Sequence, residues 1–239
     1  MSPSLDSIEH DIARKRRELN EWLAAAYSGE VERQYCGEMD AGYPHWIDIQ
    51  TLAGSVFDLG LAQRIGKSSI DSLLFFISRS DEIGVIIAWL SPIVGTPLSG
   101  CGNLSYPDFV YLCEQALIRN DDYCDYQLAA CFRKRDFLDD RAISVVHRFF
   151  NKNDSYTRRM ALHTFEHFSL PQAVELAQEL WHTVDCEFAK LSCLHALKRF
   201  PDAKLLFDRY LQDYRNTYDV DAEDYRRSHM LQLTSGNDT

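Results

Sequence analysis

"RMALHTFEHFSLPQAVELAQEL", residues 159–180, decides how this chain is read. The first part, "RMALHTF" (159–165), opens a helix with a run of apolar and small residues. After a short break, Ala173, Leu176, Ala177 and Leu180 fall at i, i+3, i+4 and i+7, one stripe of an amphipathic helix. The same pair recurs on both sides. "YQLAACF" (126–132) precedes Ala142, Val145, Val146 and Phe149, and "KLSCLHAL" (190–197) precedes Ala203, Leu206, Phe207 and Tyr210. The alanines at 142, 173 and 203 lead their stripes and permit close helix approach. One such pair cannot bury its own stripe, so its neighbours must cover it, which is the logic of a stacked repeat.

On these residues the stretch 122–214 resembles HEAT-type repeats: helix, tight turn, helix. "IDSLLFFISRSDEIGVIIAWL" (70–90) reads as an earlier, more degenerate copy. The resemblance implies an all-α fold, a HEAT-like α-solenoid of stacked antiparallel helix pairs, and a surface built for interaction. The expected organisation is an N-terminal helical segment (1–106) packing on the repeats, a repeat region (107–218), and an acidic, flexible tail (219–239).

Upstream, the pattern predicts a helix from Ser4 to Tyr27, capped by Ser2, with Pro3 in its first turn and Gly29 past its end. Ile8, Ile12, Leu19, Trp22, Leu23 and Ala26 share a face. "WIDIQTLAGSVFDLGLAQRIG" predicts a further helix reaching Gly66 despite two internal glycines. "EIGVIIAWLSP" is β-branched enough for a buried strand, yet its helical surroundings favour helix. The Gly-, Pro- and Ser-dense stretch 91–107 reads as a loop, and Pro107 starts a helix through Ile118.

Two motifs suggest enzymes. His163, Glu166 and His167 spell the inverted zinc-peptidase pattern. A catalytic site of that kind needs a third protein ligand, and the residues that follow continue the helical array. Aligning Phe168 with Phe200 sets His163 beside His195, Glu166 beside Lys198 and His167 beside Arg199, with Lys134 and Arg135 in similar places one repeat earlier. The positions therefore read as an exposed charged ridge. No metal is expected, and His163 and His167 remain the weak candidates for one. "GLAQRIGKSS" (60–69) carries the Gly-Lys-Ser end of a phosphate loop, but its first glycine is one position early and helix precedes it. Gly66 to Ser68 reads instead as a helix stop followed by a Ser N-cap. Asp139-Asp140 and Glu223-Asp224 read as solvated caps and tail charge. No cofactor is expected.

Hydrophobic residues at 46% and charged residues at 26% fit a globular chain. A formal charge of −11 argues against broad phosphate-backbone binding and favours a basic partner. Seven scattered cysteines without a C-x-x-C pair read as reduced thiols, and no signal or membrane segment is evident, so a cytoplasmic location is expected. Two acidic-aromatic stretches suit a basic surface: "NDDYCDY" (120–126) and "DRYLQDYRNTYDVDAEDY" (208–225). The expected partner-binding residues are Glu175, Glu179, Asp208, Tyr210, Asp213, Tyr214, Tyr218 and Asp219. The expected function is non-enzymatic: an immunity-type inhibitor occluding a basic toxin domain such as a nuclease, in general likeness to small acidic bacterial immunity proteins. The alternatives are a helical-repeat DNA glycosylase-like enzyme, with Trp181 and Asp185 as candidate wall and carboxylate, and a scaffold without inhibitory action.

Overall fold

The computed structural model describes residues 4–27, 42–80, 85–90 and 104–218, except the side chains of Val85 and Ala88. These residues are all-α, with no strand among them. They form two compact units, Met1–Thr164 and Phe165–Thr239. Among the described residues no helix is long and apolar enough to cross a membrane. The stretch 91–103 and the tail from Asp219 lie outside the described residues.

In the first unit, α1 (Leu5–Ala26) begins at Ser4, whose side chain accepts from the Ser7 amide at 3.2 Å. The cap is therefore Ser4 and not Ser2. Its buried face, Ile8, Ile12, Lys15, Leu19 and Leu23, ends there, and Ala26 is exposed. Lys15 lies in that apolar stripe because two carboxylates meet its ammonium, Asp48 at 2.7 Å and Glu18 at 2.9 Å. Helix α2 (Trp46–Asp58) stops well short of Gly66. Gly60 takes φ +60°, which turns the chain out of the helix. The other glycine of that run, Gly54, is buried and faces Trp89, where an added Cβ would lie 2.3 Å from the ring.

Helix α3 (Lys67–Ser78) starts at Gly66 with no side-chain cap of its own. The Glu9 carboxylate of α1 accepts from the Gly66 amide instead. The Gly-Lys-Ser sequence is thus a helix start held by a neighbouring acid, and Ser68 is not the cap. The described part of the predicted 81–91 segment, α4 (Val85–Leu90), is helical. Helix α5 (Tyr106–Arg119) is capped by Ser105 and ended by Asn120 in the left-handed region.

The core centres on α6 (Asp122–Cys131), which packs against α3, α4, α5 and α7 (Asp140–Phe150). A helix surrounded this way is mostly small or apolar, as Cys124, Leu128, Ala129 and Cys131 are, and its two buried polar side chains have partners: Asp125 pairs with Lys152 and Gln127 donates to the Ser80 carbonyl. Phe109, Phe132 and Phe149 form a chain of rings with centroids 4.7 and 6.5 Å apart, all three wholly buried. Each such ring stabilises the fold by about 1.5–3 kcal/mol. Asp139 caps α7, accepting from the Ala142 amide at 2.8 Å. The described cysteines are free thiols, and Cys113, Cys124, Cys131 and Cys193 are buried.

The boundary between the units falls within α8 (Ser155–His167). In the second unit, α9 (Gln172–Thr183) packs on α10 (Glu187–Lys198), and α10 on α11 (Lys204–Tyr218).

Candidate functional site

The candidate surface is built on α9 and α11. The α9 stripe, Ala173, Leu176, Ala177 and Leu180, is turned inward and buried. At i+2 and i+6 from Ala173 the helix must then face outward, and there Glu175 and Glu179 are exposed. Helix α11 is covered less completely. Ala203 is buried in a 3-10 turn, Leu206 and Phe207 are half-buried, and full burial returns only at Tyr210 and Tyr214. Its outer face carries Leu205, 85% exposed, followed one turn later by Asp208. Asp208 is exposed and paired with Lys204 at 2.8 Å across an i, i+4 step. Asp213 is exposed as well.

The tyrosines of the expected surface divide into different roles. Tyr210 is 3% exposed, with its ring stacked on Trp181 at 4.2 Å between centroids and 8° between planes. Its hydroxyl is 2.9 Å from His182 Nε2. Tyr214 is also 3% exposed and donates its hydroxyl to Glu187 at 2.8 Å. Both rings close the core of this unit, and burial pushes the Tyr210 hydroxyl above its ordinary pKa. Tyr218 is half-buried, 4.9 Å from Tyr214 between centroids. Asp219 lies outside the described residues. The exposed members of the expected set are therefore Glu175 and Glu179 on α9 and Asp208 and Asp213 on α11; Leu205 on α11 is exposed too, with the exposed Lys204 beside it and Arg209 one turn on. Phe188, at the start of α10, is a second exposed apolar group in this unit, at 63%. Sequence reasoning missed both Leu205 and Phe188, because they sit outside the apolar stripes and only the packing shows them uncovered.

Trp181 does not form an open wall. It is 7% exposed, covered by Tyr210, and the Lys190 ammonium lies 4.9 Å from its ring. Asp185 is exposed.

Among the described residues no three His, Cys, Asp or Glu side chains are grouped to hold a metal ion. His163 is half-buried and His167 exposed, one turn apart on α8. The aligned positions repeat their environment. His163 and His195 are half-buried, the next two residues are buried in each case, and His167 and Arg199 are exposed. One proposed member of the ridge departs from it. Arg135 is 8% exposed, its guanidinium donating to the Leu90 and Leu104 carbonyls and lying 4.0 Å from the Phe109 ring. It holds the core together and is not a ridge residue.

"NDDYCDY" is likewise mostly structural. Asp121 caps α6 through the Tyr123 and Cys124 amides. Asp125 is fully buried, paired with Lys152 at 2.6 Å, and burial pushes its carboxyl up to about 6. The Tyr126 ring meets Tyr156 at 4.7 Å.

No family model matches the chain, and no curated protein or solved structure shows significant similarity to it.

Proposed function

We propose that the chain is a protein-binding HEAT-like α-solenoid that acts as an immunity-type inhibitor, covering a basic toxin domain, for example a nuclease, with the carboxylates of α9 and α11. The observation that carries this reading is the exposed set Glu175 and Glu179 on α9 and Asp208 and Asp213 on α11, where Leu205 is also uncovered, on a chain of formal charge −11. Exposed carboxylates together with an uncovered apolar side chain suit a basic partner. Long-range attraction of this kind raises association rates by about 10–10³-fold. The carboxylates would take the place of the phosphates that a basic nuclease surface binds.

Stacked hairpins are supported unit by unit. In the first, α6 and α8 touch through Tyr126 and Tyr156, and Thr164 Oγ1 reaches the Ala129 carbonyl at 3.3 Å. Both helices stand first in their pairs. In the second, α9 and α11, which stand second in theirs, meet through the Trp181–Tyr210 stack. First-on-first and second-on-second contact is how hairpin repeats stack.

The test is to read the neighbouring genes for a basic toxin domain, such as a nuclease, and to titrate the purified chain against it. A 1:1 complex that weakens steeply with salt and suppresses the toxin is expected. A chain that leaves such a toxin fully active and does not bind it sinks the reading. So does salt-dependent binding to duplex DNA, the behaviour of the nucleic-acid enzyme alternative.

A further inference from the structure

Lys152, in the turn 151–154 between α7 and α8, ties three pieces of the first unit together. Its ammonium meets the Asp125 carboxylate at 2.6 Å and donates to the Asn120 side chain. Asp125 lies in the first turn of α6 with its side chain fully buried. Asn120 ends α5 in the left-handed region. The Lys152 side chain is only 11% exposed, so most of its stem is covered.

The Asp125 charge has little else to meet it. Its Oδ1 has no hydrogen-bond partner. Asp121 and Asp122, on its own helix, repel it. The buried thiols of Cys113 on α5 and Cys124 on α6 face it, and burial pushes both far up, so they stay protonated. Asp154, just before α8, faces Asp122. Arg119 of α5 faces Cys124 and is engaged by Asp71 and Asp121. His147 of α7 adjoins the turn, its carbonyl accepting from the Asn151 amide at 3.1 Å. Burial raises the Asp125 carboxyl to about 6 against the pull of Lys152.

We propose that Asp125 and Lys152 form a proton-operated latch: the ionised carboxylate holds the turn 151–154 on α6, and protonation frees it. A neutral acid leaves the ammonium without its counter-charge in a nearly covered place, and water meets that charge better than the core does. The ammonium then swings outward on its flexible stem and the turn loosens with it. The same proton removes a buried negative charge, so the body of the fold keeps its strength while the turn opens. The latch uses none of the carboxylates on α9 and α11.

The experiment follows amide hydrogen exchange in the full chain by NMR at about pH 7.5 and about pH 5, corrected for the intrinsic rate. The Asn151 and Lys152 amides, which donate to the His147 and Phe149 carbonyls, report the turn. The Val145 and Val146 amides report the body of α7. Protection at Asn151 and Lys152 should fall about tenfold in acid, with a midpoint near pH 6, while Val145 and Val146 change little. Asp125→Asn and Lys152→Met should each show the lower protection at both pH values. Histidine side chains can titrate in this range too, so a pH dependence that survives in either variant assigns the effect to His147 and overturns the latch. Unchanged protection in the parent, or an equal loss at Val145 and Val146, overturns it as well.

Discussion

Tyr210 separates the packing of the C-terminal unit from its proposed binding role, because its ring and its hydroxyl do different things. Removing the hydroxyl alone, Tyr210→Phe, deletes the 2.9 Å bond to His182 and leaves the stack on Trp181 intact. The imidazole can turn to water, since His182 is exposed, so the expected cost is about 1 kcal/mol. Tyr210→Ala removes a ring that is 3% exposed and leaves a hole against Trp181. Large-to-small changes of this size cost about 3–5 kcal/mol. The parallel stack itself should appear as a coupling of about 1 kcal/mol in a cycle with Trp181→Ala. Urea unfolding followed by circular dichroism reads all four variants without depending on Trp181 fluorescence. Equal effects of Phe and Ala, or an Ala variant within about 1 kcal/mol of the parent, would refute the claim that this ring closes the core.

Three other perturbations have definite signs. Gly54→Ala should destabilise the chain, since the new Cβ would meet three Trp89 ring atoms at 2.3, 2.5 and 2.7 Å; the overpacking costs about 1–3 kcal/mol against the ~1 kcal/mol that alanine gains in a helix. In a Trp89→Leu background the sign should reverse, which urea titration of the two pairs checks. Asp125 has its carboxyl raised to about 6, so the folded state holds its proton more tightly than the unfolded state. The stability it contributes is greatest below pH ~4 and lost as pH rises through about 6. Relative to the parent, Asp125→Asn should therefore become more favourable by up to about 3 kcal/mol between pH 4 and pH 7.5, measured as the difference in unfolding free energy. Ser169→Gly should stabilise by about 0.5–1 kcal/mol, because Ser169 adopts φ +52° where α8 ends in a Schellman turn closed by the Leu170 amide on the Phe165 carbonyl; an unchanged or lower Tm contradicts this.

The helices were legible where their cause is local. The stripes at 142–149 and 173–180 are buried as their spacing requires, and Pro107 falls in the first turn of α5, as read. The stripe at 203–210 is only partly covered, because a stripe records what a helix offers and not whether a neighbour arrives to cover it. Gly54 and Gly60, the two internal glycines of the helix expected to reach Gly66, show a further limit. Both read as weak points in one long helix, yet Gly54 makes room for Trp89 and Gly60 ends the helix. Nothing nearby distinguishes them, since the deciding partner is 35 positions away. The buried charges follow the same rule. Arg135 reaches carbonyls on distant turns, Asp125 finds Lys152, and Arg16 meets Arg79 and Arg119 around Phe75. Each was invisible to periodicity because charge pairing, unlike amphipathicity, carries no fixed spacing. Of the candidate surface, the carboxylates were legible as exposed positions opposite a buried stripe, whereas the inward turn of Tyr210 and Tyr214 depends on α9 and α10.

Occlusion by the carboxylates of α9 and α11 is tested most directly by the association rate with a basic toxin domain that the chain binds, as a function of salt. The parent should be compared with a variant carrying Glu175→Gln, Glu179→Gln, Asp208→Asn and Asp213→Asn. These four side chains are exposed, so the variant should fold as the parent does. Its association at low salt should be slower by tenfold or more, with a flatter salt dependence. An unchanged rate and an unchanged salt slope would contradict it.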